Sequence, residues 1–147
     1  MPLMLFWCGL LIATFACGFL DSKEETNLRD RMGGQINQAQ QAQQHAADVW
    51  DRVLFGETVN CGEIITVPEP FFLTKKEADQ YPQSVAIRDS LNNALTELTI
   101  VANLWEQECS LDREIVPLDV VRQAEDALQM ARDLLNQSAS LWAVWQA

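Results

Sequence analysis

The chain has 147 residues and a formal net charge of −11, from 21 acidic against 10 basic side chains. Phosphate backbones repel such a chain, so the composition argues against nucleic acid as a partner. One histidine and two cysteines outside the apolar N-terminus cannot fill a four-ligand zinc site, and no haem, phosphate-loop or dinucleotide motif is present. The sequence therefore predicts a non-enzymatic protein without a metal or a cofactor.

The N-terminal segment of residues 1–20 contains no charged side chain, whereas residues 21–31 contain seven. Its length lies between the apolar core of a signal peptide, about 7–15 residues, and a membrane-spanning helix of about 20. We therefore predict a leader over residues 1–20 that is a signal peptide, a lipoprotein signal or a retained single-span anchor. Cleavage after the small-x-small site Ala16–Gly18 would release a product that begins at Phe19. A buried apolar helix is the remaining alternative.

Within this leader, Ala13–Cys17 has the sequence ATFAC, with alanine directly before the cysteine. These five residues resemble the lipobox of bacterial lipoprotein signals, although Thr14 stands where such signals usually carry leucine and no basic residue precedes the apolar run. The resemblance implies that Cys17 carries a lipid and becomes the mature N-terminus. The protein would then contact the membrane through its N-terminal segment.

Residues 21–147 are predicted to form one all-α domain, a three-helix bundle. The capping-box pattern Ser22–Glu25 predicts that helix 1 begins there and covers about residues 23–55. Gly33 and Gly34 weaken its first turns and permit a kink. Gly56 suits the left-handed position that ends a helix. The apolar seam of helix 1 alternates steps of four and three residues, as in a coiled coil: Met32, Ile36, Ala39, Gln43, Ala46, Trp50 and Val53.

Two further seams of the same kind predict helix 2 over about residues 82–108 and helix 3 over about 118–146. Pro82 and Pro117 suit the first helical position, where a missing N–H costs nothing. The seam of helix 2 comprises Ile87, Leu91, Ala94, Leu98, Val101 and Trp105. The seam of helix 3 comprises Val121, Ala124, Leu128, Ala131, Leu135, Ser138, Trp142 and Trp145.

The crossover loop of residues 56–81 is too long for an antiparallel connection, which usually needs about 2–8 residues. At about 3.3 Å per residue it can run back along a bundle about 38 Å long. The loop length therefore predicts an up-up-down bundle, with helices 1 and 2 parallel. We expect 64–67 to be extended loop, and the pattern Thr74–Glu77 predicts a short helix near the end of the crossing.

Cys61 and Cys109 are the two cysteines outside the leader, and an isolated pair in an exported domain is typical of a disulfide. The bond requires the C-terminal ends of helices 1 and 2 to lie at the same end of the bundle, because the Cα atoms must approach within about 7 Å. The disulfide and the loop length thus favour the same topology.

In that topology, helix 3 returns to the leader with Trp142 and Trp145 near its end. Tryptophan favours the interface of a bilayer, where its ring is buried and its N–H is hydrated. The two residues therefore have two candidate roles, as core residues of the seam or as a contact with the membrane or a partner protein.

Three other features have weaker functional interpretations. His45 shares a helical face with Gln41 and Asp48, which permits a metal contact or proton relay, although an exposed histidine is the simpler interpretation. The glutamine-rich run 35–44 is either a solvated face or a partner-facing surface, and Gln43 stands at a polar seam position that can set helix register. The segment Pro68–Leu73 either packs over the groove between helices 1 and 2 or forms a binding epitope.

The sequence as a whole predicts a membrane-tethered helical bundle that faces an oxidising extracytoplasmic compartment, such as a periplasm or a cell surface. We expect it to act as a non-catalytic structural, accessory or interaction subunit with a protein partner. The alternative is a secreted helical carrier that binds an apolar ligand beneath the Pro68–Leu73 segment.

Overall fold

The computed structural model of the protein describes residues 8–56, 61–111 and 115–147, with side chains from residue 23 onward. Over these residues the protein is all-helical, without a strand, and the predicted helical bundle is confirmed. The four helices described are α1 (Cys8–Leu54), α2 (Lys75–Gln80), α3 (Gln83–Ser110) and α4 (Leu118–Gln146).

Helix α1 begins at Cys8, so the predicted helix start at Ser22 is wrong. A capping side chain is needed only where backbone N–H groups lack helical partners. Because the apolar residues before Ser22 are themselves helical, the i−4 carbonyls serve those N–H groups. The helix also continues through Gly33 and Gly34. Residues 1–7, which belong to the predicted leader, lie outside the described residues.

The other helix boundaries lie close to the predicted ones. Gly56 takes a positive φ of 71°, and its N–H donates to the carbonyl of Val53 at 3.0 Å, which confirms it as the residue that ends α1. Helix α3 extends two residues beyond its predicted end, and α4 matches the predicted bounds.

The three predicted seams form one hydrophobic core. All six seam residues of α3 are buried, as are most of those of α1 and α4. Helices α3 and α4 share the most extensive contact, and α4 also packs along α1. Two buried serines lie between α3 and α4, where Ser90 donates to the carbonyl of Leu134 at 2.8 Å and Ser138 to that of Ile87 at 3.4 Å. The start of α3 therefore lies beside the end of α4.

The segment between α1 and α3 has no regular secondary structure from residue 63 to 74 and contains no strand where it is described, as predicted. The predicted capping box begins α2. Thr74 Oγ1 accepts the N–H of Glu77 at 3.2 Å, and Glu77 Oε2 accepts the N–H of Thr74 at 2.8 Å. Its two reciprocal hydrogen bonds satisfy the first amides of a helix of only six residues.

Candidate functional site

The leader end of the bundle is the region where residues 23–33 of α1, the helix α2 and the end of α4 meet. Here Trp145 is buried, and its Nε1–H donates to Glu25 Oε1 at 3.0 Å. The guanidinium of Arg29 lies 5.1 Å from the centroid of the Trp145 ring and donates to the same carboxylate oxygen at 2.6 Å. Tyr81 contacts the ring at a centroid distance of 6.1 Å. The indole is thus enclosed by a cation, an anion and a second ring.

Trp142 lies one turn earlier on α4 and is partly buried. Its Nε1–H donates to the backbone carbonyl of Arg29 at 3.0 Å. The ring lies directly against Gly33, where an added Cβ would stand 2.6 Å from a ring carbon, whereas a Cβ on Gly34 would meet nothing within 4 Å. Gly33 is therefore the residue that admits the Trp142 ring to the surface of α1.

Both tryptophans occupy the core side of the seam, which is the first of the two roles that the sequence permits. Contact with a membrane or a partner stays a prediction. On the outer side of the same turns of α4, Val144 is exposed and Leu141 is partly so.

Helix α2 is bound to α1 at the leader end by two ion pairs. Lys76 pairs with Glu24 at 2.6 Å, and Arg31 pairs with Glu77 at 2.7 Å. Burial raises the pKa of Glu77, but hydrogen bonds from Thr74 and Arg31 more than offset it, so the pKa lies below its ordinary value of 4.5. Between the two helices lies an open cavity of about 400 Å³, whose lining is polar: Lys23, Glu24, Asn27, Thr74, Lys76 and Glu77.

The Pro68–Leu73 segment packs on the bundle. Phe71 is buried, and its backbone exchanges two hydrogen bonds with the Asn92 side chain, at 2.8 Å from the N–H and 3.0 Å to the carbonyl. The Gln35 amide donates to the carbonyl of Glu69 at 2.6 Å, and Arg31 lies 5.3 Å from the Phe71 ring centroid. Phe71 thus fills space beneath this segment, while Phe72 points outward and is exposed.

The disulfide end comprises the last turns of α1 and α3, the segment from Cys61 to Ile65 and the start of α4. The predicted Cys61–Cys109 disulfide is present, with a Cα–Cα distance of 5.5 Å. Beside it, the rings of Trp50 and Trp105 meet edge to face at 5.9 Å. Trp105 Nε1–H donates to the carbonyl of Glu63 at 2.9 Å. The C-terminal ends of α1 and α3 are therefore neighbours.

Arg52 and Glu63 form an ion pair that joins α1 to the segment after Cys61, with two guanidinium nitrogens on the two carboxylate oxygens. The hydrogen bond from Arg52 is the main reason that the pKa of Glu63 lies below 4.5, while partial desolvation opposes it. The segment from Cys61 to Glu63 is thus attached to the helices by a covalent bond, an ion pair and an indole hydrogen bond.

Several large apolar side chains at the disulfide end are nevertheless exposed to solvent. We call them the apolar tip. They come from the end of α1, the segment after Cys61 and the α3–α4 junction: Leu54, Phe55, Ile64, Leu111, Ile115 and Leu118. Elsewhere among the described side chains, large exposed apolar residues are fewer: Phe72, Met130, Leu141 and Val144. The sequence did not predict the apolar tip, because heptad spacing identifies the buried face of each helix and not the exposed side chains at helix ends.

His45, Gln41 and Asp48 are exposed on α1. In the part of the chain that the structure describes, no group of three His, Cys, Asp or Glu side chains is arranged to hold a metal ion. Of the glutamine run, Gln43 is half-buried at its seam position and Gln35 binds the crossover segment.

The leader is helical from Cys8 onward, and Cys17 lies within α1, although its side chain lies outside those described. Across residues 8–56, 61–111 and 115–147, no helix has a stretch long and apolar enough to cross a membrane. No protein-family model, no curated protein and no solved structure matches the chain.

Three contacts at or beside the leader end were not predicted: Gly33 against Trp142, Asn92 with the Phe71 backbone, and Arg29 over Trp145. Each joins residues more than twenty positions apart. A glycine adjacent to the seam residue Met32 is the one local signal that could have indicated a close approach there.

Proposed function

We propose that the protein is a non-catalytic accessory or interaction subunit, tethered to a membrane by its leader and facing an extracytoplasmic compartment. The continuity of α1 carries the proposal, since the apolar residues 8–20 and the bundle residues 21–54 belong to one helix. A helical connection acts as a semi-rigid spacer, whereas a flexible linker lets a domain swing. A leader kept in the membrane would therefore hold the bundle in one orientation.

The Cys61–Cys109 disulfide supports the proposed compartment, because such bonds persist in oxidising environments and are rare in the cytosol. The bonds of Trp142 and Trp145 to α1 support a bundle whose last helix ends beside the leader. A leader kept in the membrane would therefore place the end of α4 beside the membrane as well.

We also infer the up-up-down topology. Contacts at both ends of the bundle support this topology. The Cys61–Cys109 disulfide lies near the ends of α1 and α3, and Trp145 donates a hydrogen bond to Glu25 near the start of the bundle part of α1. The first contact favours parallel α1 and α3, and the second favours an α4 that runs antiparallel to α1.

Mass spectrometry of the mature protein, combined with membrane fractionation, tests the tether. We expect either an intact Met1 or an acylated Cys17. We also expect the protein to stay in the membrane fraction when that fraction is washed with high salt. Salt resistance matters because a peripheral, electrostatic association would be released under those conditions. A free N-terminus near Phe19 in a soluble fraction would defeat the tether and favour the secreted carrier.

Spin-label distances test the topology separately. In a Cys8→Ser/Cys17→Ser background, labels are placed at the exposed positions Asp51 and Glu106, or at Asn27 and Glu106. Positions 27 and 51 are roughly 36 Å apart along α1 at 1.5 Å per residue. The 51–106 pair should therefore give the short distance and the 27–106 pair the long one. The reverse order would indicate an up-down-up bundle and rule out the proposed topology.

A further inference from the structure

The apolar tip is an unusual surface for a water-facing end of a bundle. Phe55 is 78% exposed, Ile64 is 77% exposed and Ile115 is 81% exposed. They come from three separate segments that the fold brings to one end. Water-exposed apolar side chains that cluster rather than scatter typically mark an interaction surface.

Three of the segments that carry the apolar tip, the end of α1, the segment after Cys61 and the end of α3, are fixed to one another. Ile64 follows Glu63, whose side chain pairs with Arg52 and whose carbonyl accepts Trp105 Nε1–H, and the disulfide joins Cys61 to Cys109 two residues before Leu111. A surface held in place before association loses less conformational entropy when it binds. The part of the apolar tip that Phe55, Ile64 and Leu111 form is thus preorganised.

The charges around the apolar tip define the partner's chemistry. Among the described residues in 48–67 and 102–122, five carboxylates are exposed or half-buried, on Asp48, Asp51, Glu63, Glu106 and Asp119, against two arginines, while Glu108 is buried. The accessible side chains among these described residues thus carry a formal charge of −3, and one of the two arginines, Arg52, is already paired with Glu63. Anionic lipid is repelled by such a rim, and so is the same end of a second copy.

We propose that the apolar tip docks a cationic amphipathic helix of a partner protein, with apolar side chains on the tip and Lys or Arg opposite the surrounding carboxylates. The inference rests on the proposed function as an interaction subunit and names its partner-binding surface. The leader end faces the membrane in that proposal, so the disulfide end is the one left accessible to a partner.

The test measures binding of the full-length protein in neutral detergent to a labelled 18-residue Leu/Lys helix, by fluorescence anisotropy. The tip variant is Phe55→Ser/Ile64→Ser/Ile115→Ser. The matched control is Phe72→Ser/Met130→Ser/Val144→Ser, which removes exposed apolar side chains from other surfaces; Phe72 is 75% and Val144 77% exposed. Circular dichroism verifies that both variants fold.

We expect the wild type and the control to bind alike, the tip variant to bind roughly tenfold more weakly or worse, and added salt to weaken binding. Equal weakening in the control, or equal binding of a Leu/Glu helix, would overturn the proposal.

Sedimentation with phosphatidylcholine or phosphatidylglycerol vesicles that depends on the tip residues would assign the tip to lipid instead. Self-association that the tip variant abolishes would assign it to a second copy. Binding of the Leu/Lys helix does not depend on how the N-terminus is processed. The result of this experiment is therefore independent of whether the protein is tethered to a membrane.

Discussion

The two ends of the bundle are closed by different chemistry. At the leader end, indole hydrogen bonds, a stacked guanidinium and two ion pairs connect α1 to α4 and α2. At the disulfide end, a covalent bond, an ion pair and an indole hydrogen bond connect α1, α3 and the crossover segment. Both ends bury tryptophan rings, but the disulfide end also leaves six large apolar side chains exposed to water.

This difference indicates a division of roles. The contacts that close the leader end are non-covalent, so they exist only when the surrounding helices are folded. A covalent bond reduces the freedom of the unfolded chain and needs no apolar burial of its own. The disulfide end can therefore remain ordered while its apolar side chains stay available to a partner.

The largest expected effect concerns the covalent bond. Replacement of Cys61 and Cys109 by alanine should lower the free energy of unfolding by about 4 kcal/mol, because the bond closes a loop with a sequence separation of 48. Urea unfolding followed by circular dichroism measures the loss, with Cys8→Ser/Cys17→Ser as the matched control. A loss below about 1 kcal/mol would mean that the ion pair and the indole hydrogen bond hold this end without the covalent bond, which would erase the contrast between the ends.

The second prediction compares adjacent glycines at the leader end. Gly33→Ala forces the Trp142 ring to move and should destabilise the protein by about 2 kcal/mol relative to Gly34→Ala. Gly34→Ala itself should stabilise by about 0.5–1 kcal/mol through helix propensity, since nothing lies near its Cβ. Both values come from urea unfolding. Equal effects of the two substitutions would show that Trp142 does not need the close approach to α1.

The third prediction addresses the crossover segment beside the leader end. Asn92→Ala should cost about 1–2 kcal/mol because both backbone groups of the buried Phe71 lose their partner. Hydrogen exchange at the Phe71 amide should accelerate in the same variant. The neighbouring Asn93 is exposed, and Asn93→Ala should change stability by less than about 0.5 kcal/mol. Unchanged exchange in Asn92→Ala would contradict the assigned role of this side chain.

The smallest effects are expected from pH. Glu63 and Glu77, one at each end, have pKa values below the ordinary 4.5. A carboxyl with a lowered pKa in the folded state contributes stability that is present above its unfolded pKa and is lost as pH falls through the folded one. The stability difference between wild type and Glu77→Gln, and likewise Glu63→Gln, should therefore shrink between pH 7 and about pH 3. A difference that grows on acidification would reverse the assigned sign.

Much of the fold was accessible from local patterns. Heptad spacing located most of the buried residues of the three long helices, although Leu28 and Val49 lie outside the predicted seam, and the capping box at Thr74 located α2. The positive φ of Gly56 followed from its place after the first seam. These predictions succeeded because each depends on residues within one or two helical turns. The helix start at Ser22 failed because a capping pattern signals an end only if the preceding residues are not helical, and here they are.

The sequence by itself determined that this protein is helical and which faces of its helices are buried, and it favoured a bond between Cys61 and Cys109. Only the tertiary structure decided that Gly33 receives the Trp142 ring, that Asn92 binds the crossover segment, and that six apolar side chains gather at the disulfide end. The reason is physical. Periodicity reports burial along one helix, whereas these contacts depend on the relative height and rotation of separate helices, which the packing of the whole core sets.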